Sequence, residues 1–136
     1  MDIFAILKLA KENASSDIHI VSAMPPMIRV HGKLQPVPGY PVLDPRDTED
    51  AFFQISSPEQ RSKFDLEMEL DFGMSPDGVG RVRCNVARQQ GTVSLVMRLL
   101  PDVIPSIAEL GLPEICKDLS LRPRGLVVIS GPTGSG

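Results

Sequence analysis

Tryptophan is absent from this chain, tyrosine occurs once and cysteine twice. The two cysteines, Cys84 and Cys116, lie in segments of different predicted type and form no CxxC pair, so neither a metal site nor a disulfide framework is expected. Both read as reduced, buried thiols of a cytoplasmic protein. No apolar run approaches the roughly 20 residues that a membrane-spanning helix needs, so direct membrane insertion is not expected. A surplus of positive charge is missing too: 14 Lys and Arg face 17 Asp and Glu, for a net charge of −3 and a pI near 5.3. That balance argues against nucleic acid or anionic lipid as a general partner, and any anion site has to be local. The opening "MDIFAILKLAKEN" has neither the basic start nor the small-residue cleavage site of an export signal.

What is present is globular composition, 42% hydrophobic and 23% charged, over 136 residues. That length suits one ordinary domain, or a small domain followed by the first piece of another. Ile3, Ile6, Leu7 and Ala10 recur at helical spacing behind Asp2, which predicts an amphipathic first helix. "SSDIHIVS" then alternates, with Ile18 and Ile20 on one side and Asp17 and His19 on the other; "MIRV" and "LQPV" are short strands joined by the tight turn "HGK". Asp44-Pro45 and Ser57-Pro58 are helix starts, the first with Ala51, Phe52 and Ile55 on one face, the second running to about Leu66. From there the period becomes two. Met68, Leu70, Phe72 and Met74 alternate, "SPDG" turns the chain, Val82, Cys84 and Val86 share a face of the next strand, and "TVSLVMRL" follows the "QQG" turn. The expected result is an antiparallel meander with one face packed and one polar.

A proline-rich break at 101–111 reads as a linker. Beyond it "PEICKDLSL" predicts a short helix, and "GLVVIS" a continuous apolar strand of the kind found inside parallel sheets. That strand leads into Gly131-Pro132-Thr133-Gly134-Ser135-Gly136, the GxxxxG spacing of a loop that wraps nucleotide phosphates in backbone N–H groups. Bare GxxxxG is a weak pattern; directly after an apolar strand it stands in the context the motif requires. The Lys and Ser or Thr that complete such a loop, and that neutralise β- and γ-phosphates and hold magnesium, would come next. The chain is therefore expected to be cut inside the motif and to be catalytically inactive by itself, with no catalytic residue of its own.

Two readings fit the arginines. Arg81 and Arg83 share a strand face with Asn85, and Arg98 has the polar parity of the last strand with Thr92 and Ser94, so guanidinium groups on one face could meet phosphate oxygens. Equally, a symmetric hairpin at "SPDG" sets Asp71 opposite or diagonal to Arg83, which makes an ordinary cross-strand ion pair. His19 and His31 are expected as surface residues, no metal site is assigned, and the six methionines are expected in the core or in the "MPPM" turn.

Taken together, "ASSDIHIVSAMPPMIRVHGKL" resembles the opening strands of the secretion ATPases of type II secretion and type IV pilus systems. "GVGRVRCNVARQQGTVSLVMRLLP" followed by "RGLVVISGPTGSG" is similar to their PilT-like pilus retraction branch. The resemblance implies an α+β chain: a PAS-like N-terminal domain in 1–100, an antiparallel sheet with flanking helices, a linker at 101–111, and in 112–136 the first helix and strand of a RecA-like α/β ATPase domain. It implies homohexamers that bind ATP and Mg2+ between the two domains, a pilus platform protein of the inner membrane as partner, and a place at the cytoplasmic face of that membrane. On this resemblance Gly131 to Gly136 match the first part of the phosphate loop. Arg81 and Arg83 match the strand that supplies nucleotide-contacting arginines, and Arg98 is a further candidate. The retraction branch is favoured over pilus assembly or type II secretion because the chain starts directly at this domain. The competing expectation is a free-standing PAS-like interaction or sensing module, against which stand the missing tryptophan, the single tyrosine and the lack of a polar cluster on a packed face.

Overall fold

A computed structural model describes residues 1–101 and 103–132. The chain divides into two compact units, Met1–Asp102 and Val103–Gly136.

In the first unit, helix α1 (Ile3–Glu12) begins at Asp2, whose Oδ1 accepts hydrogen bonds from the backbone N–H groups of Phe4 (2.9 Å) and Ala5 (3.2 Å). Strands β1 (Asp17–Ile20), β2 (Met27–Val30) and β3 (Lys33–Pro36) follow. Helices α2 (Pro45–Ile55) and α3 (Pro58–Glu67) each open with proline at the first helical turn and a reciprocal cap, Asp44 with Asp47 and Ser57 with Gln60. Then come β4 (Glu69–Met74), β5 (Val82–Gln89) and β6 (Thr92–Leu99). All six strands form one antiparallel sheet in the order β3-β2-β1-β6-β5-β4. Two three-stranded meanders are thus zipped together through β1 and β6.

One face of the sheet is packed. Ile18, Ile20, Ile28, Leu70, Val82, Cys84, Val86, Val93, Leu95 and Met97 join Ile3, Ile6, Leu7 and Ala10 of α1, Ala51 and Phe52 of α2 and Phe64 of α3 in a single core. Alternation delivers this directly: on β5 and β6 the odd and even residues go to opposite faces, and the inward set is apolar. Two hairpins fix the register. His31-Gly32 and Gln90-Gly91 are two-residue loops with positive φ at both positions (48° and 78°, 51° and 81°), the mirror-image turn that suits the twist of antiparallel strands. A Cβ on Gly32 or Gly91 would meet nothing within 4 Å, so backbone dihedrals and not space ask for glycine there.

One of the expected strand residues moves. Met68 does not join the β4 alternation; it is the C-cap of α3 in the left-handed region (φ 61°), exposed, and its N–H bonds the carbonyl of Phe64. Since a left-handed L-residue costs about 1 kcal/mol that glycine avoids, Met68→Gly is expected to raise stability by about 1 kcal/mol. Urea unfolding at constant m-value checks this. Met24 lies exposed in the "MPPM" turn, and on α2 Thr48, Ala51 and Phe52 are buried while Ile55 packs partly covered against the same core.

The second unit contains α4 (Ile115–Ser120) where a short helix was expected, and a hydrogen-bonded turn at 106–111 inside the proline-rich stretch. That turn is capped as a helix would be: Ser106 N–H and Oγ both bond Glu109 Oε2 at 2.7 Å. The apolar strand expected at 126–130 is not formed; Leu126, Val127, Val128 and Ile129 are exposed and pair with no strand among the described residues. A strand exists through ladder bonds to neighbours, and an apolar sequence supplies only one side of them. No described residue from Val103 to Pro132 is buried, so the described residues of this unit form no core of their own. Among the described residues no helix is long and apolar enough to cross a membrane.

Candidate functional site

The face of the sheet turned away from the helices carries the charged residues. Pairing of β1 with β2 sets Asp17 against Arg29; pairing of β1 with β6 sets the same Asp17 against Arg98; pairing of β6 with β5 sets Arg98 directly opposite Arg83. On β4, Asp71 stands opposite Asn85 and therefore diagonal to Arg83. A row Arg29, Asp17, Arg98, Arg83, Asp71 crosses five strands and borders an open depression of about 260 Å3, lined by Asp17, Asp71, Arg83, Asn85, Val96 and Arg98.

Arg83 and Arg98 repel as directly opposed like charges, and each is matched by a carboxylate on its far side. Arg83 holds Asp71 bidentately: Nη2 donates to Oδ2 at 2.6 Å and Nε reaches both oxygens at 3.1 Å. These bonds keep the Asp71 carboxyl below the usual carboxylate range. Arg98 donates from Nε to Asp17 Oδ1 at 2.9 Å; Asp17 Oδ2 accepts from Ser16 Oγ at 2.8 Å and lies 3.3 Å from Arg29 Nε. Burial pushes the Asp17 carboxyl up, but the bonds from Arg98 and Ser16 and the charges of both arginines outweigh it, and Asp17 ends below the usual range.

Of the arginines singled out from the sequence, Arg83 and Arg98 are thus brought together. Arg81 lies one residue ahead of β5, donates from Nη2 to the Pro101 carbonyl at 3.3 Å, and lines with Arg83 and Leu100 a second open depression. Gly131 and Pro132 belong to the second unit, and Thr133, Gly134, Ser135 and Gly136 lie outside the described residues. Asp17 is the residue the sequence did not reveal as central. Its parity matched Arg29 and Arg98 all along, but only the neighbour relation of β1 and β6 joins them.

His19 also differs from the surface residue expected. It is half-buried, lines a small pocket with Val21, Met24, Pro25, Met27 and Leu34, and its Nε2 is shut off from solvent with no partner among the described residues. Burial, aided by the Arg29 charge, pulls its pKa down against a smaller opposing effect of Asp17. The unfolded chain then takes up the proton first. Stability contributed here is therefore full above about pH 6.5 and falls as pH drops from there toward the depressed folded value. Urea unfolding at about pH 7.5 and about pH 5.5 should show this loss, and His19→Gln should flatten it. His31, by contrast, is exposed in its turn. Burial raises the Cys84 thiol to about 12, with a smaller push from Asp71, so it is no nucleophile; Cys116, expected to be buried as well, is only partly covered, because the described residues around it form no core. Among the described residues no three His, Cys, Asp or Glu gather at metal distance.

The fold is that of an antiparallel sheet domain whose open face presents paired arginines, and it has known counterparts. No protein-family model matches the chain. Along its whole length it is homologous to the N-terminal part of PilT- and PilU-like type IV pilus ATPases. It is 36% identical over 136 residues to the type IV pilus retraction ATPase PilT of Pseudomonas aeruginosa and 37% identical over 136 residues to the type IV pilus ATPase PilU of the same organism, covering 100% of this chain in both cases. A crystal structure of the pilus retraction motor PilT with bound ADP superposes with a TM-score of 0.84 at 38% identity, covering 100% of this chain and 40% of that one. The chain spans only 39% and 35% of the lengths of the PilT and PilU relatives.

Proposed function

We propose that this chain is the N-terminal portion of a motor ATPase of the PilT-like retraction branch, and that the arginine-bearing face is its contribution to a nucleotide site. The observation that carries this is the whole-length match to PilT, whose structure holds ADP. In this reading residues 1–100 are the PAS-like domain, 101–111 the linker and 112–136 the start of a RecA-like domain, whose apolar strand forms once later strands flank it. The uncovered Leu126–Ile129 segment supports that reading, because such a run needs neighbours to bury it. Gly131 to Gly136 would wrap phosphates from the RecA-like side, while Arg81, Arg83 and Arg98 approach from the sheet. ATP with Mg2+ supplies the phosphoryl group to be cleaved; this chain supplies positive charge and backbone N–H groups, and by itself no cleavage. The whole protein would act as a hexamer at the cytoplasmic face of the inner membrane, on a pilus platform protein.

The test is the protein carrying the residues that follow Gly136 in its gene. Lys and then Ser or Thr should come first, and the longer protein should hydrolyse ATP while the 136-residue chain does not. A different pair of residues, or no hydrolysis, rejects the motor reading.

A further inference from the structure

Asp17 is unequally matched with its partners. Its side chain is 8% exposed, yet the arginines it holds are 35% (Arg29) and 66% (Arg98) exposed. Burying a carboxylate costs solvation, and a half-solvated arginine returns little for it. What the arrangement does provide is direction. Asp17 grips Arg98 at Nε alone, side-on, so both terminal nitrogens of that guanidinium stay without a partner among the described residues. The other oxygen is fixed by Ser16, and Arg29 is fixed in turn by its Nη1 bond to the Gly32 carbonyl at 3.2 Å. Arg83 is in the opposite condition, with Nε and Nη2 both committed to Asp71.

We propose that Asp17 is a positioning residue that aims Arg98, making Arg98 the leading phosphate contact of this face, with Arg83 held in reserve by Asp71. This rests on the phosphate reading of the face given above. A guanidinium already fixed at Nε loses less freedom when its two Nη groups close on a phosphate, whereas Arg83 must first share or leave its carboxylate.

Charge and geometry predict opposite signs, which makes the proposal testable on the chain as it stands. Inorganic tripolyphosphate is titrated while the arginine Nε–Hε resonances are followed by NMR. If the aspartates act only as nearby negative charge, Asp17→Ala and Asp71→Ala should both tighten anion binding. If Asp17 positions Arg98, D17A, which removes the acceptor of the Arg98 Nε–H bond, weakens binding by about tenfold, the loss of one well-directed charged hydrogen bond, while D71A tightens it. Without ligand, D17A should also abolish the exchange protection of the Arg98 Hε. Arg98→Lys keeps the charge, should lose about as much affinity as D17A, and carries the test if D17A fails to fold; Arg83→Lys should lose less. Tightening by D17A, or a larger loss for R83K than for R98K, overturns the role of Asp17 and leaves the phosphate reading standing. No response of any arginine resonance at millimolar tripolyphosphate overturns both.

Discussion

Phe64→Ala is expected to cost the first unit about 3–5 kcal/mol, the range for emptying a buried aromatic site. Phe64 is the only buried residue of α3. Its ring lies 4.9 Å from that of Phe52 on α2 at a tilt of 59°, and the Arg88 guanidinium of β5 sits over it at 5.5 Å. A helix so polar elsewhere has no second apolar anchor, so the ring fastens α3 to both α2 and the sheet. Leu66, on the same helix but 84% exposed, is the internal control: Leu66→Ala should change stability by less than about 0.5 kcal/mol. Urea unfolding followed by circular dichroism measures both. A domain of this size has only about 5–15 kcal/mol in hand, so F64A should shift the midpoint far. A loss under about 1 kcal/mol would mean that α3 is held by its Ser57-Gln60 cap and the Arg61 bonds to Phe53 and Ser56 instead.

In the longer protein, Arg98→Ala should lower kcat for ATP hydrolysis by about 100-fold, the effect of removing one fixed donor from developing negative charge. Arg81→Ala and Arg83→Ala should lower the rate as well, and Arg83→Ala by less than Arg98→Ala. Folding should not confound this. Arg98 is mostly solvated, and its removal leaves Asp17 with the bond from Ser16 and the charge of Arg29. Steady-state assays at saturating ATP, with unfolding midpoints measured on the same variants, decide the matter. Unchanged rates in all three variants would remove the arginines from the nucleotide site.

Much of the fold was readable from local chemistry. The caps at Asp2, Asp44 and Ser57, the prolines behind the last two, and the turns at "HGK" and "QQG" placed every helix and both tight hairpins of the first unit. These signals act within a few residues of chain, so a sequence displays them in full. Met68 escaped because strand alternation and a helix C-cap compete for the same residue, and the carbonyls of the last turn of α3 took it. The strand at 126–130 failed for a different reason: apolar character is local, but ladder partners are not.

The site divides in the same way. Parity along each strand put Arg83, Asn85 and Arg98 on the polar face, and the hairpin brought Asp71 to Arg83, all from spacing. That Asp17 would be buried between Arg29 and Arg98 was decided only when β1 zipped against β6, a pairing that joins residues 81 positions apart. By itself the sequence determined which residues face water, because backbone geometry alternates them. The tertiary structure decided which of those residues meet, because strand order is chosen by burial of the opposite face, and the charged side chains follow wherever the core takes them.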